Sequence, residues 1–530
     1  MHKRRLFALT ALVVAFIFNA SCAGTATINE QNNVATPTAA ATQPAPDTTA
    51  PAAETPAPEP TKEDRVEYSK VKIDETRSYQ TWESFGASGA WWAQYVGGWD
   101  KENKYSEVTP REDIARLLFD RDNGIGLSSF RYNLGAGSAD SGKGNYSDPH
   151  RRAQCFETAP GEYDWSKDAN AVWFIKRATE IANGDIDIIL FCNSPLERLT
   201  KSGKAQSVAK STTNIEPSNY AAFADYCFDV AEHFKELGIP VTEISPINEP
   251  QWDWLEGQEG MHLTTDGIVG ILEAFVNGIQ DRPALYDVKI SGPESGEWGG
   301  ATRDYINAIM ANETLKDYFS VLDCHSYWTN RSTKEDFIRW LNSVYPGVTV
   351  RTSEWCEMVN GSDYTMDSAF NMADVIMDDL KILNVSSWQL WVAVSPGGYR
   401  DGLIHVNESK QAYRATRRLW AMGNFSRFIR PGFVRTEIST PYTDIYNLGS
   451  VAFTGENALG QKELVIVLTN EEDEKTFRLD LNTINKYDYC EVYTTTEEKD
   501  LEMTFSGDYD SDTAFTIEGK SIVTIRLIER

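Results

Sequence analysis

Histidine and cysteine, the residues that most often bind transition metals in proteins, are scarce in this sequence. The 530 residues include 6 His and 7 Cys, with no H-E-x-x-H motif and no C-x-x-C pair. A zinc site, a redox centre and a disulfide scaffold each require such spacings or a higher cysteine density, so the sequence favours none of them. We expect no metal and no cofactor, and we interpret the cysteines beyond residue 22 as scattered buried thiols.

Positive charge is also in short supply. The chain carries 50 Lys and Arg against 78 Asp and Glu, which gives a formal net charge of −28. Nucleic acids and anionic membrane surfaces would repel such a protein, so we expect no nucleic-acid partner. Hydrophobic residues make up 41% of the chain, which is enough for a sizeable core and argues against global disorder.

Long apolar runs are missing except near the start of the chain. Residues 6–18 are apolar and follow Lys3, Arg4 and Arg5, a pattern too short for a membrane span and typical of a secretory signal. The signal peptide predicted over residues 1–22 ends at Cys22 and resembles a bacterial lipoprotein signal, in which this Cys would be lipidated. We expect an exported protein, either a cell-surface lipoprotein or a soluble secreted form, that meets a membrane only through that anchor.

Composition divides the rest of the chain into four parts. Residues 23–63, rich in Ala, Thr and Pro, predict a disordered linker. We predict one or more strands over residues 64–80, which join a side β domain. A catalytic barrel is predicted over residues 81–425 and a β-sandwich over residues 426–530. The predicted fold is α/β, a (β/α)₈ TIM barrel with a C-terminal all-β sandwich side domain. The eight predicted barrel strands are 84–89, 127–133, 186–193, 241–248, 288–292, 321–327, 348–354 and 387–392.

Several of these strands end in polar residues, as the catalytic face of a barrel requires. Glu249 ends the fourth strand and Glu354 ends the seventh. Hydrolysis of a glycosidic bond with retention needs two carboxyl groups about 5–5.5 Å apart, and strands on opposite sides of a barrel mouth can supply them. Each glutamate alone is weak support, since most acidic residues lie on solvated surfaces.

An ordered set of short motifs makes the interpretation more specific. It resembles glycoside hydrolase family 30, a family of retaining barrel enzymes, and within it the endo-β-1,6-galactanase branch. The resemblance spans residues 66–530 and rests on FGASGAWW at 85–92, FRYN at 130–133, NSP at 193–195, NEP at 248–250, QEG at 258–260 and GNFSRFIRPG at 423–432.

The family resemblance implies a role for each matching residue. It implies Glu249 as the acid/base and Glu354 as the nucleophile, with Asn248 donating a hydrogen bond to the sugar 2-hydroxyl. Arg131 is expected beside Glu354, where its charge would keep that carboxylate ionised, and a structural ion pair is the alternative. Further substrate-site candidates are Tyr327, which would hydrogen-bond Glu354 or simply pack at the barrel mouth, and His325, which would orient its neighbours.

Tryptophans follow several predicted barrel strands, and sugar rings stack on such side chains. Trp391, after the eighth strand, is expected to floor the subsite at the cleavage point, and Trp91 to line the same site. Trp252 and Trp254 lie in the loop after the fourth strand. They are expected at an outer subsite, with burial in the core as the alternative.

Together these features predict an enzyme, a retaining O-glycosyl hydrolase that cleaves β-linked glycans by double displacement. The expected partner is a polysaccharide or oligosaccharide, with an endo-β-1,6-galactanase-like activity favoured. An endo-β-1,4-xylanase and a β-glucosidase-type exo-enzyme of the same family remain alternatives. A hypothesis of a different class is a surface lipoprotein that binds glycan without cleaving it.

Overall fold

Buried β-strands alternate with amphipathic helices through most of the chain. The computed structural model describes residues 68–102, 108–441 and 449–530. The predicted signal peptide, Cys22 and the linker lie outside the described residues. Within them, no helix combines the length and the apolar character needed to cross a membrane.

The strands between the described N-terminus and residue 415 are mostly short. In chain order they are β1 (Ser69–Thr81), β2 (Ser84–Ser88), β3 (Ser129–Asn133), β4 (Glu157–Ala159), β5 (Glu162–Tyr163), β6 (Asp187–Phe191), β7 (Val241–Ser245), β8 (Lys289–Ile290), β9 (Pro293–Ser295), β10 (Val321–His325), β11 (Thr349–Trp355), β12 (Ser387–Leu390), β13 (Val394–Ser395), β14 (Ile404–Asn407) and β15 (Ala412–Ala415).

Longer strands follow, and helices separate the strands of the first part. The C-terminal strands are β16 (Val434–Ser439), β17 (Gly449–Glu456), β18 (Lys462–Asn470), β19 (Lys475–Asn482), β20 (Tyr489–Thr495), β21 (Glu502–Asp508), β22 (Ala514–Ile517) and β23 (Ser521–Ile528). The helices are α1 (Ala93–Val96), α2 (Pro110–Phe119), α3 (Ser138–Ser141), α4 (Ala169–Ile181), α5 (Tyr220–Glu236), α6 (Thr265–Gly278), α7 (Gly300–Ala311), α8 (Glu313–Tyr318), α9 (Arg331–Val344), α10 (Met366–Asp378) and α11 (Arg417–Ser426).

A closed parallel barrel occupies the first part. Its strand order is β8-β7-β6-β3-β2-β12-β11-β10-β9, and β8 and β9 are consecutive pieces of one broken strand. The ring closes through that strand: Ser291 N donates to Ile244 O of β7 at 3.0 Å, and Asp323 N of β10 donates to Gly292 O at 2.9 Å. The predicted (β/α)₈ barrel is therefore confirmed. Because all its strands are parallel, their C-terminal ends form one common rim.

The helices bury one face each against the barrel, for reasons visible in the sequence. α9 begins after Asn330, whose Oδ1 accepts a hydrogen bond from Thr333 N at 3.0 Å and so caps the helix. Its apolar residues Phe337 and Leu341 are four positions apart and both are buried, whereas the opposite face is largely exposed. This spacing fixes the rotation of the helix on the sheet.

The remaining strands form a nine-stranded sheet in the order β21-β20-β23-β18-β17-β16-β1-β19-β22. Strand β1 pairs antiparallel with β16 and parallel with β19. One face of β18, with Val465 and Val467, belongs to the barrel's core, and the other, with Leu464 and Ile466, belongs to a second core. Residues from β1, β19, β22 and β23 complete that second core. The predicted all-β side domain is confirmed.

Asp379 holds three neighbouring elements of the barrel together. The residue follows α10, and its buried carboxylate forms an ion pair with Lys334 of α9 at 2.7 Å. It also accepts hydrogen bonds from Thr352 Oγ1 of β11 and Trp388 Nε1 of β12, both at 3.0 Å. Removal of the carboxylate would leave the 2%-exposed Lys334 uncompensated.

We expect Asp379→Ala to lower the free energy of unfolding by about 3–5 kcal/mol, the usual cost of breaking a buried ion pair from one side. Asp378→Ala is the matched control, because Asp378 binds the more exposed Arg331 and should change stability by no more than about 1 kcal/mol. Urea denaturation of both variants measures the difference. Equal losses would show that Asp379 has no special role.

Candidate active site

The backbones of Glu249 and Glu294 are joined by a hydrogen bond at the C-terminal rim of the barrel. Glu249 lies four residues after β7, and its amide donates to the carbonyl of Glu294 in β9 at 2.8 Å. Both residues have positive φ, 41° and 55°, a conformation that costs a non-glycine residue energy and is concentrated at functional sites. The Glu249 carbonyl accepts from Trp254 Nε1 at 3.0 Å, which fixes the loop that carries the acid.

Glu354 lies near the end of β11 and is surrounded by hydrogen-bond donors. Arg131 Nη1 of β3 donates to its Oε2 at 2.9 Å, and the Tyr327 hydroxyl donates to its Oε1 at 3.0 Å. Burial raises the pKa of the Glu354 carboxyl, while the positive charges of His325 and Arg131 act to lower it and Glu249 raises it further. A raised pKa is typical of two close carboxyl groups that share one proton.

The imidazole of His325 lies between the two glutamates. Its Nδ1 is 3.2 Å from Glu249 Oε1 and 3.3 Å from Glu354 Oε1. The nearest ligand atoms of the three side chains all lie within 4.8 Å of one another. Burial opposes protonation of the ring, but Glu354, Glu249 and Glu294 outweigh it and raise the pKa of His325 to about 10. The ring is therefore a cation at neutral pH.

The same three side chains meet the distance requirement for a divalent cation. The protonation and hydrogen bonding of these side chains, however, favour proton transfer over metal binding. A metal-bound imidazole must be neutral, whereas His325 is protonated because of the surrounding carboxylates. The Glu354 oxygens already accept from a guanidinium and a phenol. The chemistry of this donor set fits a proton-transfer site better than a metal site.

Glu294 was missed by reasoning from the sequence. Its carboxylate is 1% exposed and accepts hydrogen bonds from Ser245 Oγ, at 2.9 Å, and from Ser353 Oγ. Burial opposes its ionisation, yet the charges of Arg131 and His325 hold the pKa of Glu294 down, at about 2. The predicted fifth strand stops at Gly292, and a continuation through Pro293 would have placed Glu294 at the rim.

Three asparagines at the ends of β3, β6 and β7 present polar atoms without partners. Asn133 Nδ2, Asn193 Oδ1 and Asn248 Oδ1 are buried, and the described residues offer them no hydrogen-bond partner. Unsatisfied buried polar atoms are costly, so their clustering beside the carboxylates indicates a ligand with hydroxyl groups. The unpartnered atom of Asn248 is an acceptor, so the predicted donation to the sugar 2-hydroxyl stays a prediction, and Asn133 and Asn193 are additional candidates.

Two pairs of tryptophans lie on either side of the carboxylates, and three of the four predicted tryptophans belong to them. Trp91 and Trp391 meet edge to face with ring centroids 5.3 Å apart, and Trp391 also contacts Phe191, on whose ring the Arg131 guanidinium lies at 4.4 Å. Both tryptophans are half-buried. This pair therefore lies on the side of the site that holds Glu354 and its arginine.

The second pair lies on the Glu249 side. Trp252 and Trp328 are 44% and 57% exposed, and their ring centroids lie 5.7 Å apart, edge to face. A Cβ placed on Gly296 would come within 2.9 Å of Glu249 Oε1 and 3.5 Å of Trp252 Nε1, so this glycine separates the acid from the ring. Trp254, expected with Trp252, instead turns inward to the Glu249 carbonyl.

Comparisons with known proteins identify the family of this chain. A family model described as O-Glycosyl hydrolase family 30 matches residues 68–405. The endo-β-1,6-galactanase of Hypocrea rufa is 26% identical over 443 residues, 78% of this chain and 83% of that protein. The exo-β-1,6-galactobiohydrolase of Bifidobacterium longum subsp. longum is 28% identical over 384 residues, 61% of this chain but 25% of that protein.

Among solved structures, a conserved exported protein from Bacteroides fragilis is similar with a TM-score of 0.74 and 26% identity. The match covers 86% of this chain and 100% of that one. A parallel barrel whose rim carries two close buried glutamates, with aromatic rings on both sides, defines a glycoside hydrolase. The chain belongs to O-glycosyl hydrolase family 30, since the family model covers more than half of it. The predicted family and enzyme class are confirmed.

Proposed function

We propose that the protein hydrolyses β-glycosidic bonds by double displacement, with Glu354 as the nucleophile and Glu249 as the acid/base. The observation that carries this proposal is the approach of the two carboxylates to within 4.8 Å. That spacing suits direct attack by one carboxylate on the anomeric carbon. Inverting enzymes hold their carboxyl groups roughly 6.5–9.5 Å apart, to leave room for a water molecule.

Unequal surroundings support the division of roles. Glu354 is bound by the guanidinium of Arg131, the hydroxyl of Tyr327 and the imidazole of His325. Glu249 has the His325 ring as its charged contact. The charges of Arg131 and His325 act against the rise that burial causes in the pKa of Glu354, so we assign the nucleophile to Glu354 and the acid to Glu249.

The reaction follows from these positions. Glu354 attacks the anomeric carbon while Glu249 gives its proton to the departing oxygen, which leaves a glycosyl ester on Glu354. Glu249 then takes a proton from water, the water oxygen bonds to the anomeric carbon, and Glu354 leaves. Asn248 is proposed to bind the sugar 2-hydroxyl, and a contact that tightens in the transition state raises kcat.

For the substrate, we propose a β-1,6-linked galactan cleaved internally. The proposal draws on the names of the two curated relatives, both of which act on β-1,6-galactose linkages. Purified protein should be incubated with β-1,6-galactan, arabinogalactan, xylan and aryl glycosides, and the products separated by size. Mixed galacto-oligosaccharides from β-1,6-galactan are expected. Release of oligosaccharides from xylan alone would reject β-1,6-galactan as the substrate. Binding of a polysaccharide without any new reducing end would favour a non-catalytic glycan-binding protein.

Trp252 and Trp328 are proposed to bind the leaving-group portion of the chain, because they flank the acid. Trp328→Ala should lower kcat/KM on the polysaccharide about tenfold, the effect of losing roughly 1.4 kcal/mol of ring stacking. Hydrolysis of a small aryl galactoside, which lacks sugars on that side, should change less than about twofold.

Tyr286→Ala is the matched control for Trp328→Ala. Tyr286 is 69% exposed but precedes β8, at the opposite end of the barrel, so both substrates should be cleaved at the wild-type rate. A loss of aryl galactoside hydrolysis in Trp328→Ala as large as the loss on the polysaccharide would place the ring elsewhere in the site.

We also propose that the enzyme works outside the cytoplasm, as a lipoprotein anchored through Cys22 or as a secreted form. Support comes from the apolar run at residues 6–18 behind three basic residues and from the likeness to a conserved exported protein. Labelling of growing cells with a fatty-acid analogue should mark the protein in a manner that Cys22→Ser abolishes. An unlabelled protein in the culture medium would instead support the secreted form.

A further inference from the structure

A third carboxylate lies beneath the two that flank the scissile bond. Glu294 contacts the far side of the His325 ring, with Oε2 at 3.3 Å from Nε2, and its Oε2 is 3.9 Å from Arg131 Nη2. Its backbone carbonyl holds the amide of Glu249, and its carboxylate binds Ser353, the residue before Glu354. Glu294 therefore contacts groups that hold Glu249 in position and groups that hold Glu354 in position.

The charges of this cluster balance in one protonation state. Arg131 and His325 supply two positive charges, and Glu294 and Glu354 supply two negative charges when Glu249 carries a proton. All five side chains are less than 10% exposed, so an uncompensated charge among them would be costly. The arrangement thus favours the state in which the acid is protonated and the nucleophile is not.

We propose that Glu294 is a positioning residue whose negative charge keeps His325 protonated and also favours the presence of the catalytic proton on Glu249. The proposal rests on the double-displacement function given above and adds to it the group that sets the protonation of the pair. Without Glu294, the two cations would face one carboxylate and one carboxylic acid. The surplus positive charge would be relieved by release of a proton from either Glu249 or His325.

The other titratable groups that face this cluster do not supply that charge. They are Asp323, Cys324 and Tyr327 on and after β10, and Cys356 after β11. Burial raises the pKa of Cys324, Tyr327 and Cys356, so these three are neutral at neutral pH. Burial also raises the pKa of Asp323, to about 8, and both of its oxygens bind Arg351 at 2.7 Å.

The test is the pH dependence of kcat/KM for Glu294→Gln, a substitution of the same size without the charge. Loss of a negative neighbour makes both Glu249 and His325 release their protons at lower pH. The alkaline limb of the profile should therefore move down by about one to three pH units, the usual effect of a charge within 4–6 Å. A role that was only structural would reduce the rate at every pH and leave the limb in place, and that result would overturn the proposal.

Two companion variants sharpen the test. Glu294→Asp keeps the charge and should restore the wild-type alkaline limb even where kcat falls. Glu297→Gln removes a half-buried carboxylate three residues further along the chain and should leave the limb unchanged. If Glu297→Gln moved the alkaline limb as far as Glu294→Gln does, the shift would reflect the loss of any nearby negative charge, and the proposal would fail.

A second measurement uses the wild-type protein and needs no activity. Nitrogen-15 NMR of histidine-labelled enzyme, with the His325 signal assigned by its loss in His325→Asn, reports the charge of the ring. We expect an imidazolium at pH 8, and a neutral ring there would overturn the proposal even if Glu294→Gln did not fold. If the wild type cleaved no glycan, the proposed function would fail, while the same spectra of Glu294→Gln, in which the ring should lose its proton at lower pH than in the wild type, would still test the role of Glu294.

Discussion

Glu354→Ala is expected to abolish glycan hydrolysis, with a fall in kcat on the order of 10⁴-fold or more, the scale seen when a covalent nucleophile is removed. The carboxylate lies within 4.8 Å of Glu249 and is held by Arg131 and Tyr327. Removal of the side chain leaves a space beside the anomeric carbon. Added azide should enter it and restore cleavage of an activated aryl β-glycoside.

The configuration of the azide product identifies the role of the lost residue. In Glu354→Ala, azide replaces the nucleophile and displaces the leaving group once, so the product should be the α-glycosyl azide. In Glu249→Ala, azide replaces the attacking water of the second step and should give the β-glycosyl azide. A β product from Glu354→Ala, or no rescue at any azide concentration, would contradict the assignment of the nucleophile.

Glu249→Gln should separate substrates by the quality of their leaving groups. An acid is needed most when the departing oxygen is basic, as in a sugar alcohol, and positioned acid catalysis is worth about 10²–10⁴-fold. Turnover of the polysaccharide should fall by that factor. The first step with a dinitrophenyl glycoside, whose leaving group needs no proton, should slow less than about tenfold, measured as the pre-steady-state burst.

Glu256→Gln is the matched control for Glu249→Gln. Glu256 lies in the same loop after β7, is exposed and hydrogen-bonds Asn145 Nδ2 at 3.0 Å. Both substrates should be cleaved by this variant at rates close to those of the wild type. Equal losses on the polysaccharide and the dinitrophenyl glycoside in Glu249→Gln would remove the acid role from that residue.

The rim residues could be predicted from the sequence because a parallel barrel brings all strand C-termini to one end. The polar residues at or after the C-terminal ends of β3, β7, β10 and β11 had to meet there, and the structure places Arg131, Glu249, His325 and Glu354 in one cluster. The importance of His325 was underestimated, since its contacts with three carboxylates depend on residues from three other strands. No local pattern encodes such a convergence.

Glu294 escaped prediction because Gly292 and Pro293 are typical of a turn, and they end the fifth strand in the sequence although the chain continues as β9. In the β domain, strand β21 lies at the edge of its sheet and is almost wholly exposed, so it lacks the alternation of buried and exposed residues by which a half-buried strand is predicted. In both places the strand is formed by tertiary contacts that the local sequence does not show.

The tryptophans show a similar limit. Their positions after strands predicted that they lie near the rim, but position does not distinguish a sugar platform from a packed core residue. Trp252 is 44% exposed, whereas Trp92, beside Trp91 in the sequence, is 1% exposed and packs on Phe130 and Phe174. The difference arises from the loop that surrounds each ring.

The measurement that tests double displacement most directly is the configuration of the first sugar released. Proton NMR spectra recorded within minutes of mixing enzyme and a β-linked substrate resolve the α and β anomers before mutarotation equilibrates them. Two successive displacements at the anomeric carbon, first by Glu354 and then by water activated by Glu249, predict that the β anomer appears first. Initial appearance of the α anomer would mean a single displacement and would contradict the roles assigned to both glutamates.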